Sequence, residues 1–229
     1  MCLSISILLF ALLNQEMIDT LRHKGLRKQL VNELIGKGIK NQEVLDAINV
    51  IPRHVFMDQA FERFAYQDKA FPIAAGQTIS QPYTVAFQSE LLEVKKGDHV
   101  LEVGTGSGYQ ASVLCEMGIK VFTIERQREL YDKAQHFFEI LKYRPFQKYG
   151  DGYKGLPVYG PFDGIVVTCG APYIPKALLS QLKIGGKLVI PVGDKEQVMT
   201  RVTRVSEKDF SKKEYGNFKF VPFLKGKNS

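Results

Sequence analysis

Cysteine is scarce in this 229-residue chain, and no pattern typical of a disulfide-bonded or metal-binding protein appears. The three cysteines, Cys2, Cys115 and Cys169, form neither an even set nor a metal-ligand spacing. The four histidines are isolated from one another and from the cysteines along the sequence. The composition therefore excludes a disulfide scaffold and predicts no metal site. It is typical of a protein of the reducing cytosol.

Long hydrophobic runs are also missing, with one exception near the N-terminus. Residues 3–13 are almost wholly apolar, but the run is too short to cross a bilayer as a helix. It lacks the basic region of an export signal, because the first Lys or Arg is Arg22, and it lacks a small-x-small cleavage site. Met17 then begins a segment that resembles an ordinary protein start. We predict that residues 1–16 are an apolar extension or an over-extended start, with an export signal as the alternative, and we expect a cytoplasmic protein without stable membrane association.

The chain is basic, but its positive charges follow no pattern along the sequence. The sequence has 31 Lys and Arg against 24 Asp and Glu, a net charge of +7 and a pI near 9.2. An anionic partner such as nucleic acid must therefore be considered. The basic residues are scattered, however, and form no stripe interleaved with aromatic residues. We interpret them as a solvated surface and predict no nucleic-acid partner.

The most informative stretch is a glycine-rich turn after an apolar strand. The strand over residues 100–103 contains Glu102, and Gly104, Gly106 and Gly108 follow it before a helical pattern. Glycine at such a turn lets a ligand reach the backbone N–H groups of a helix start. A dinucleotide site would need the third glycine one residue later. The shorter spacing and the acidic residue indicate a ligand with an ammonium group and no phosphate, such as S-adenosylmethionine.

A second acidic residue completes the cofactor pattern. Glu125 ends the next strand, over residues 120–125, and a carboxylate at that place can accept hydrogen bonds from ribose hydroxyls. A lone glycine motif often matches by chance. Strand, turn, helix, second strand and acid in the right order make chance the weaker interpretation.

The rest of the chain alternates between strands and helices. This alternation predicts an α/β fold with a doubly wound, mostly parallel seven-stranded sheet, and its ligand would bind at the carboxyl ends of the strands. We predict one domain over 17–229, with a helical preface and loop over 17–84 and a cofactor core over 85–229. Predicted strands cover 99–103, 120–125, 147–149, 162–168, 186–192, 197–206 and 215–221, and predicted helices cover 109–117, 128–141 and 174–182.

The preface combines two predicted helices with an irregular stretch. Apolar residues at helical spacing predict a helix over 18–35, and Asn41 is placed to cap a second helix that Pro52 ends. Residues 65–84 have little periodicity but are too apolar for a disordered tail, which indicates a docked binding loop. Ser80 lies in this loop just before a predicted helix start, where a capping role is one alternative to a role in a site.

This order of motifs resembles the class I S-adenosylmethionine-dependent methyltransferases, which have a Rossmann-like fold. More specific motifs resemble the protein-L-isoaspartate O-methyltransferases over residues 17–224. They are IPRHVF at 51–56, GQTISQP at 76–82, FDGI at 162–165, LKIGGKLVIPVG at 182–193 and FVP at 220–222. The chain departs from the family with TCGAP at 168–172, where the family usually has an alanine-rich turn. We interpret the thiol there as a small buried hydrophobe.

The resemblance implies an activity and a set of site residues. The activity is transfer of a methyl group from S-adenosylmethionine to the α-carboxylate of L-isoaspartyl residues in damaged proteins and peptides, with D-aspartyl residues as an open extension. Ser80 takes the place of the family's active-site serine, the glycine turn would hold the methionine part of the cofactor, and we expect a monomer. The implied cofactor contacts are Gln77, Thr78, Ile79, Glu102, Gly104, Gly106, Ser107, Gly108, Glu125, Arg126, Asp151, Gly152 and Gln197.

The implied chemistry needs no general base, because a carboxylate with a pKa of about 3.9 is already ionised at neutral pH. The lack of a catalytic histidine group is consistent with that reaction. Two alternatives stay open. One is a methyltransferase that acts on a small molecule or another acceptor, and the other is a non-catalytic protein that keeps the fold and docks on RNA.

Overall fold

The computed structural model describes residues 19–228 of the chain. The predicted N-terminal extension, residues 1–16, therefore lies outside the described residues. The described strands are β1 Phe71–Pro72, β2 Thr78–Ile79, β3 His99–Val103, β4 Lys120–Glu125, β5 Phe146–Tyr149, β6 Phe162–Val167, β7 Leu182–Val192, β8 Gln197–Arg204 and β9 Phe210–Phe218. The described α-helices are α1 Leu21–Gly36, α2 Gln42–Val50, α3 Pro82–Leu92, α4 Tyr109–Glu116, α5 Arg128–Ile140 and α6 Lys176–Leu179.

One seven-stranded sheet forms the centre of the fold, in the order β5-β4-β3-β6-β7-β8-β9. The pairs from β5 to β7 are parallel, and β8 and β9 add to the sheet as antiparallel strands. The predicted doubly wound, mostly parallel, Rossmann-like sheet is confirmed. The strand order reverses between β3 and β6, and sheets of this kind bind their ligands at such a switch point.

Alternate residues of the central strands face two separate cores. Val100 of β3 packs against the preface helices, whereas Leu101 and Val103 face the apolar layer on the other side of the sheet. This alternation is the ordinary two-residue period of a strand. It also places Glu102 on the same face as Val100, toward the preface and not toward the opposite layer.

Three of the predicted element bounds were wrong. The helix predicted over 174–182 is only Lys176–Leu179, and β7 begins at Leu182 instead of residue 186. The register between β6 and β7 shifts there, so the glycine pair at 185–186 forms an irregularity within a strand and does not end it. The last strand covers Phe210–Phe218 instead of 215–221, because the chain leaves the sheet after Phe218.

The preface helices begin and end where polar side chains and glycine favour it. The side chain of Asn41 accepts a hydrogen bond from the N–H of Val44 at 3.2 Å, so the predicted cap of α2 is confirmed. The helix α1 is capped by Thr20, whose hydroxyl accepts from the N–H of His23. No helix among residues 19–228 is long and apolar enough to cross a membrane.

Candidate active site

A cavity opens at the carboxyl ends of β3, β4 and β6, beside the loop that carries Ser80. It contains about 810 Å³ of empty space, a volume that includes the open solvent at its mouth. Many of the predicted site residues line it. They are Gln77, Thr78, Ser80, Gly104, Gly106, Ser107, Glu125, Arg126 and Gly152.

The glycine turn follows β3 with a backbone that only glycine adopts easily. Gly104 has a φ of +101°, and a Cβ added to it would lie 2.5 Å from Oγ1 of Thr168. That hydroxyl donates a hydrogen bond to the carbonyl of Gly104 at 2.6 Å. Gly108, outside the cavity lining, has a φ of +87° and directly precedes α4, and a Cβ added to it would lie 3.0 Å from the ring of Phe138. The turn is therefore held closely on both sides, which leaves Gly106, with open space around it, toward the cavity.

Glu125 fixes the shape of the turn as well as facing the cavity. One carboxylate oxygen accepts from the N–H of Gly106 at 2.9 Å, and the other accepts from the N–H of Gln127 at 2.8 Å. The side chain is 5% exposed. Each carboxylate oxygen has a second lone pair, so the group can accept further hydrogen bonds from ligand hydroxyls.

Glu102 does not reach the cavity. Its side chain is fully buried on the preface side of the sheet and accepts a hydrogen bond from the hydroxyl of Thr123. Burial raises the pKa of Glu102 to about 8, with a smaller contribution from the charge of Glu125. The hydroxyl of Thr123 also lies 2.6 Å from that of Thr105, which lines the cavity. A chain of buried side chains beneath the turn therefore links Glu102 to the cavity lining.

The loop with Ser80 joins the cavity to a second opening. Ser80, Thr78, Thr168 and Val221 line both the cavity and an open groove beside it. The groove is otherwise lined by the start of α3, the end of β9, the residues that follow β9, and Ala70, Gln81 and Glu196. The stacked rings of Tyr83, Phe87 and Phe218 lie near one side of it, with centroids 5.6 and 5.5 Å apart.

Ser80 does not cap the helix that follows its loop, so the alternative role considered for it is excluded. The residue before α3 is Gln81, and its side chain does not cap the helix. The N–H of Tyr83 donates instead to Oδ1 of Asp68 at 2.7 Å, and the side chain of Gln81 donates to Oδ2 of Asp68 at 2.9 Å. Asp68 lies 15 residues upstream of Tyr83, so no local pattern could have revealed it.

Three further predicted contacts also lie outside the cavity lining. Ile79 is buried in the core and pairs with Phe71 across β1 and β2. The side chain of Asp151 accepts from the N–H of Tyr153 at 3.0 Å and so caps the short turn that contains Gly152. Gln197 is 2% exposed and accepts from the N–H of Phe220 at 2.8 Å. Gln197 and Asp151 therefore support segments that do line the cavity.

A stretch after β9, here called the C-terminal strap and comprising residues 219–228, closes one side of the cavity. Its residues 221–224 are part of the lining. The N–H of Phe223 donates to the carbonyl of Gly170, and the N–H of Gly170 donates to the carbonyl of Val221, both at 2.8 Å. Sequence reasoning matched FVP at 220–222 to a family motif but did not place it in the site. The apolar run FVPFL beyond the last strand was the available signal.

Histidines that are separate in the sequence meet in the structure. The rings of His23 and His54 lie 3.9 Å apart, and their nitrogens lie within 4.8 Å of a carboxylate oxygen of Asp19. The guanidinium of Arg27 donates to both oxygens of Asp19, at 2.7 and 2.9 Å. Burial lowers the pKa of His54 to about 4. A neutral histidine and an arginine already bound to the carboxylate identify this group as a packed ion-pair network of the preface.

Of the described cysteines, Cys169 is buried and Cys115 is partly buried. Cys169 lies in the cavity lining, and burial raises its pKa well above the ordinary value. Burial also raises the pKa of Cys115 to about 12. A thiol that stays protonated at neutral pH is a poor nucleophile. Cys169 therefore acts as a small apolar part of the cavity wall.

This strand order, with a glycine turn and a carboxylate facing a cavity at the switch point, defines a class I S-adenosylmethionine-dependent methyltransferase. The model of the Protein-L-isoaspartate(D-aspartate) O-methyltransferase (PCMT) family matches residues 24–228. The chain belongs to that family.

Individual relatives agree with the family. The chain is 64% identical over 213 residues to a protein-L-isoaspartate O-methyltransferase of Christiangramia forsetii, and 62% identical to one of Flavobacterium psychrophilum. Each alignment covers 93% of this chain and 100% of the relative.

Solved structures give the same result. A protein-L-isoaspartate O-methyltransferase aligns with a TM-score of 0.79 at 26% identity over 86% of this chain and 65% of that longer chain. A Plasmodium falciparum protein described as a putative member of the family, in complex with S-adenosyl-L-homocysteine, aligns with a TM-score of 0.76 at 26% identity, over 87% of this chain and 99% of that one.

Proposed function

We propose that this chain transfers a methyl group from S-adenosylmethionine to the α-carboxylate of L-isoaspartyl residues in damaged proteins and peptides. Family membership and the identity to full-length relatives of that name support the activity. The structural observation that carries the proposal is the position of Ser80, on the wall shared by the cavity and the open groove. That position lets one loop contact a cofactor on one side and a peptide acceptor on the other.

The residues of the cavity fit S-adenosylmethionine. We propose that the turn at 104–107 holds the methionine part and that Glu125 accepts hydrogen bonds from the ribose hydroxyls. Gly152 and Phe223 offer a flat, apolar place for the adenine, because Phe223 stacks on Tyr153 with centroids 4.0 Å apart. When bound, S-adenosylmethionine supplies an electrophilic methyl group on a positively charged sulfur.

The protein's side chains have to orient an acceptor carboxylate that is already reactive. An α-carboxylate is ionised at neutral pH, so no group has to remove a proton from it. We propose that Ser80 donates a hydrogen bond to the acceptor carboxylate and that the aromatic side of the groove limits access of water. Holding the reacting groups in line can lower a barrier by about 7–11 kcal/mol.

The monomeric state stays a prediction. The D-aspartyl activity and the cytoplasmic location stay predictions. The first is addressed by including a D-aspartyl peptide in the assay below.

The test is transfer of labelled methyl to synthetic peptides that differ only at one residue. We expect the peptide with an L-isoaspartyl residue to be methylated and the one with an ordinary aspartyl residue to stay unlabelled. The reason is that the isoaspartyl linkage leaves a free α-carboxylate where the ordinary residue has a peptide bond. Binding of S-adenosylmethionine without transfer to the isoaspartyl peptide would contradict the proposal and favour a small-molecule acceptor or a non-catalytic role.

Replacement of Ser80 by alanine separates orientation from cofactor binding. We expect kcat to fall about tenfold to a hundredfold, because a hydrogen bond to a charged group contributes about 1.5–3 kcal/mol. The affinity for S-adenosylmethionine, measured by calorimetry, should change far less. Ser180→Ala, at an exposed position outside the cavity lining, is the matched control. An equal loss of turnover and cofactor affinity in Ser80→Ala would make Ser80 a cofactor ligand instead.

A further inference from the structure

A fully buried arginine lies behind the loop that carries Ser80. The side chain of Arg53 is among the largest in the described part of the chain with essentially no solvent exposure. Burial lowers the pKa of Arg53 to about 10, so the guanidinium is still charged at neutral pH. A buried charge is costly unless hydrogen bonds compensate for it. The partners of this charge therefore indicate what the fold gains from keeping it.

The guanidinium binds three backbone carbonyls from the loop region. One terminal nitrogen donates to the carbonyl of Ala65 at 2.5 Å, and the other donates to the carbonyls of Lys69 and Ser80, each at 3.0 Å. The carbonyls of Ala65 and Lys69 come before the β1–β2 ribbon in the chain, and the carbonyl of Ser80 directly follows it. The charge of Arg53 thus ties the backbone of Ser80 directly to the earlier part of the loop.

The same guanidinium also contacts the helix that follows the glycine turn. Its carbon lies 5.6 Å from the ring centre of Tyr109 and 5.9 Å from that of Phe71. Both distances are within the range of cation–π attraction. Tyr109 is the first residue of α4 and lines the cofactor cavity, whereas Phe71 belongs to the loop. Arg53 therefore links the two sides of the site, one with the acceptor loop and one with the cofactor turn.

We propose that Arg53 is a positioning residue for methyl transfer, which fixes the distance between Ser80 and the turn that holds the cofactor. It touches neither substrate nor cofactor and acts through the backbone of Ser80 and the ring of Tyr109. The inference rests on the proposed function, because it takes Ser80 as the residue that orients the acceptor.

Arginine is needed here because of its shape. Its planar fork presents several N–H groups in fixed directions, so one side chain can hold carbonyls from separate segments while stacking on rings. Lysine has one nitrogen on a flexible chain and cannot reproduce this arrangement. The substitution Arg53→Lys keeps the charge and much of the volume, and it removes the fork.

The experiment compares Arg53→Lys with Arg27→Lys. Arg27 is the control, because it is also a buried arginine of the preface, but it binds Asp19, the hydroxyl of Tyr66 and the carbonyl of Asn49 instead of the backbone carbonyls of the loop. Arg53→Met is made as a second variant that removes the charge. Each protein is assayed well below its melting temperature for kcat and KM with the isoaspartyl peptide. Affinity for S-adenosylmethionine and amide hydrogen exchange over residues 77–83 are measured as well.

For Arg53→Lys we expect kcat to fall by up to about a hundredfold, since a small misplacement of reacting groups can cost that much. Cofactor affinity should stay near that of the unaltered protein, and amides 77–83 should exchange faster. Arg27→Lys should lower the melting temperature without lowering kcat and without faster exchange of amides 77–83. Should Arg53→Met fail to fold, Arg53→Lys and its exchange rates decide the question.

Two results would overturn the inference. One is normal kcat and normal exchange of the loop in Arg53→Lys. The other is the same loss of kcat in Arg27→Lys, which would mean that lower stability alone accounts for the effect. If the unaltered protein does not methylate the isoaspartyl peptide, the proposed function fails, and the exchange comparison still tests the tether on its own.

Discussion

Replacing Glu125 with alanine is expected to weaken the binding of S-adenosylmethionine by at least about a hundredfold, because each hydrogen bond to a charged group contributes about 1.5–3 kcal/mol and two ribose hydroxyls would lose their acceptor. The substitution also leaves the N–H groups of Gly106 and Gln127 without the carboxylate that now accepts from them. The turn itself would then relax. Calorimetry with S-adenosylhomocysteine, which avoids turnover, measures the affinity.

The contribution of the ribose contact can be separated from that of the turn. Glu125→Gln keeps the size of the side chain and one oxygen acceptor. Its affinity for S-adenosylhomocysteine should therefore lie between that of the unaltered protein and that of Glu125→Ala. An analogue of S-adenosylhomocysteine without ribose hydroxyls should bind weakly to the unaltered protein and lose in Glu125→Ala only the part of its affinity that depends on the turn. Glu129→Ala, at an exposed position on α5, is the control. A full additional loss with the analogue would contradict the ribose contact.

Gly104→Ala is expected to destabilise the protein by about 2–5 kcal/mol and to abolish measurable cofactor binding, because it adds backbone strain to a steric overlap. The strain comes from the φ of +101°, and the overlap comes from Oγ1 of Thr168, 2.5 Å from the new Cβ. That hydroxyl cannot turn away without losing its hydrogen bonds to the carbonyls of Val103 and Gly104. Denaturant unfolding measures the stability.

The two causes can be distinguished with one control and one double variant. Gly97 has a φ of +90° with nothing within 4 Å of an added Cβ, so Gly97→Ala reports the strain alone. In Gly104→Ala/Thr168→Ala the overlapping oxygen is gone, and the next atom of residue 168, its Cβ, is 3.8 Å away. The double variant should therefore be more stable than the sum of the single changes predicts. If the double variant's change in the free energy of unfolding equals the sum of the two single changes, the steric overlap is ruled out.

The fold and the cofactor side of the site could be predicted from the sequence because their signals are local. The strand, the glycine turn and Glu125 lie within 27 residues, and each has a pattern with a physical cause. The position of Glu102 was also open to prediction. It shares its strand face with Val100, so a two-residue period already turns it away from the cavity.

The remaining parts of the site depend on contacts between distant segments. Asp68 caps a helix that begins 14 residues later, and Arg53 binds a carbonyl 27 residues away. Nothing around either residue in the sequence indicates its partner. The same is true of the histidines, since only the fold brings His23 and His54 together.

The C-terminal strap has a consequence for how the protein is made. Its residue Asn228 donates through its N–H to the carbonyl of Arg126 and accepts at its own carbonyl from the N–H of Arg128, which fastens the strap beside β4. A chain still on the ribosome can pair β3 with β4 long before residues 219–228 have emerged from the exit tunnel. Such a nascent chain lacks one wall of its cavity, so we expect it to capture cofactor only after synthesis has passed the strap.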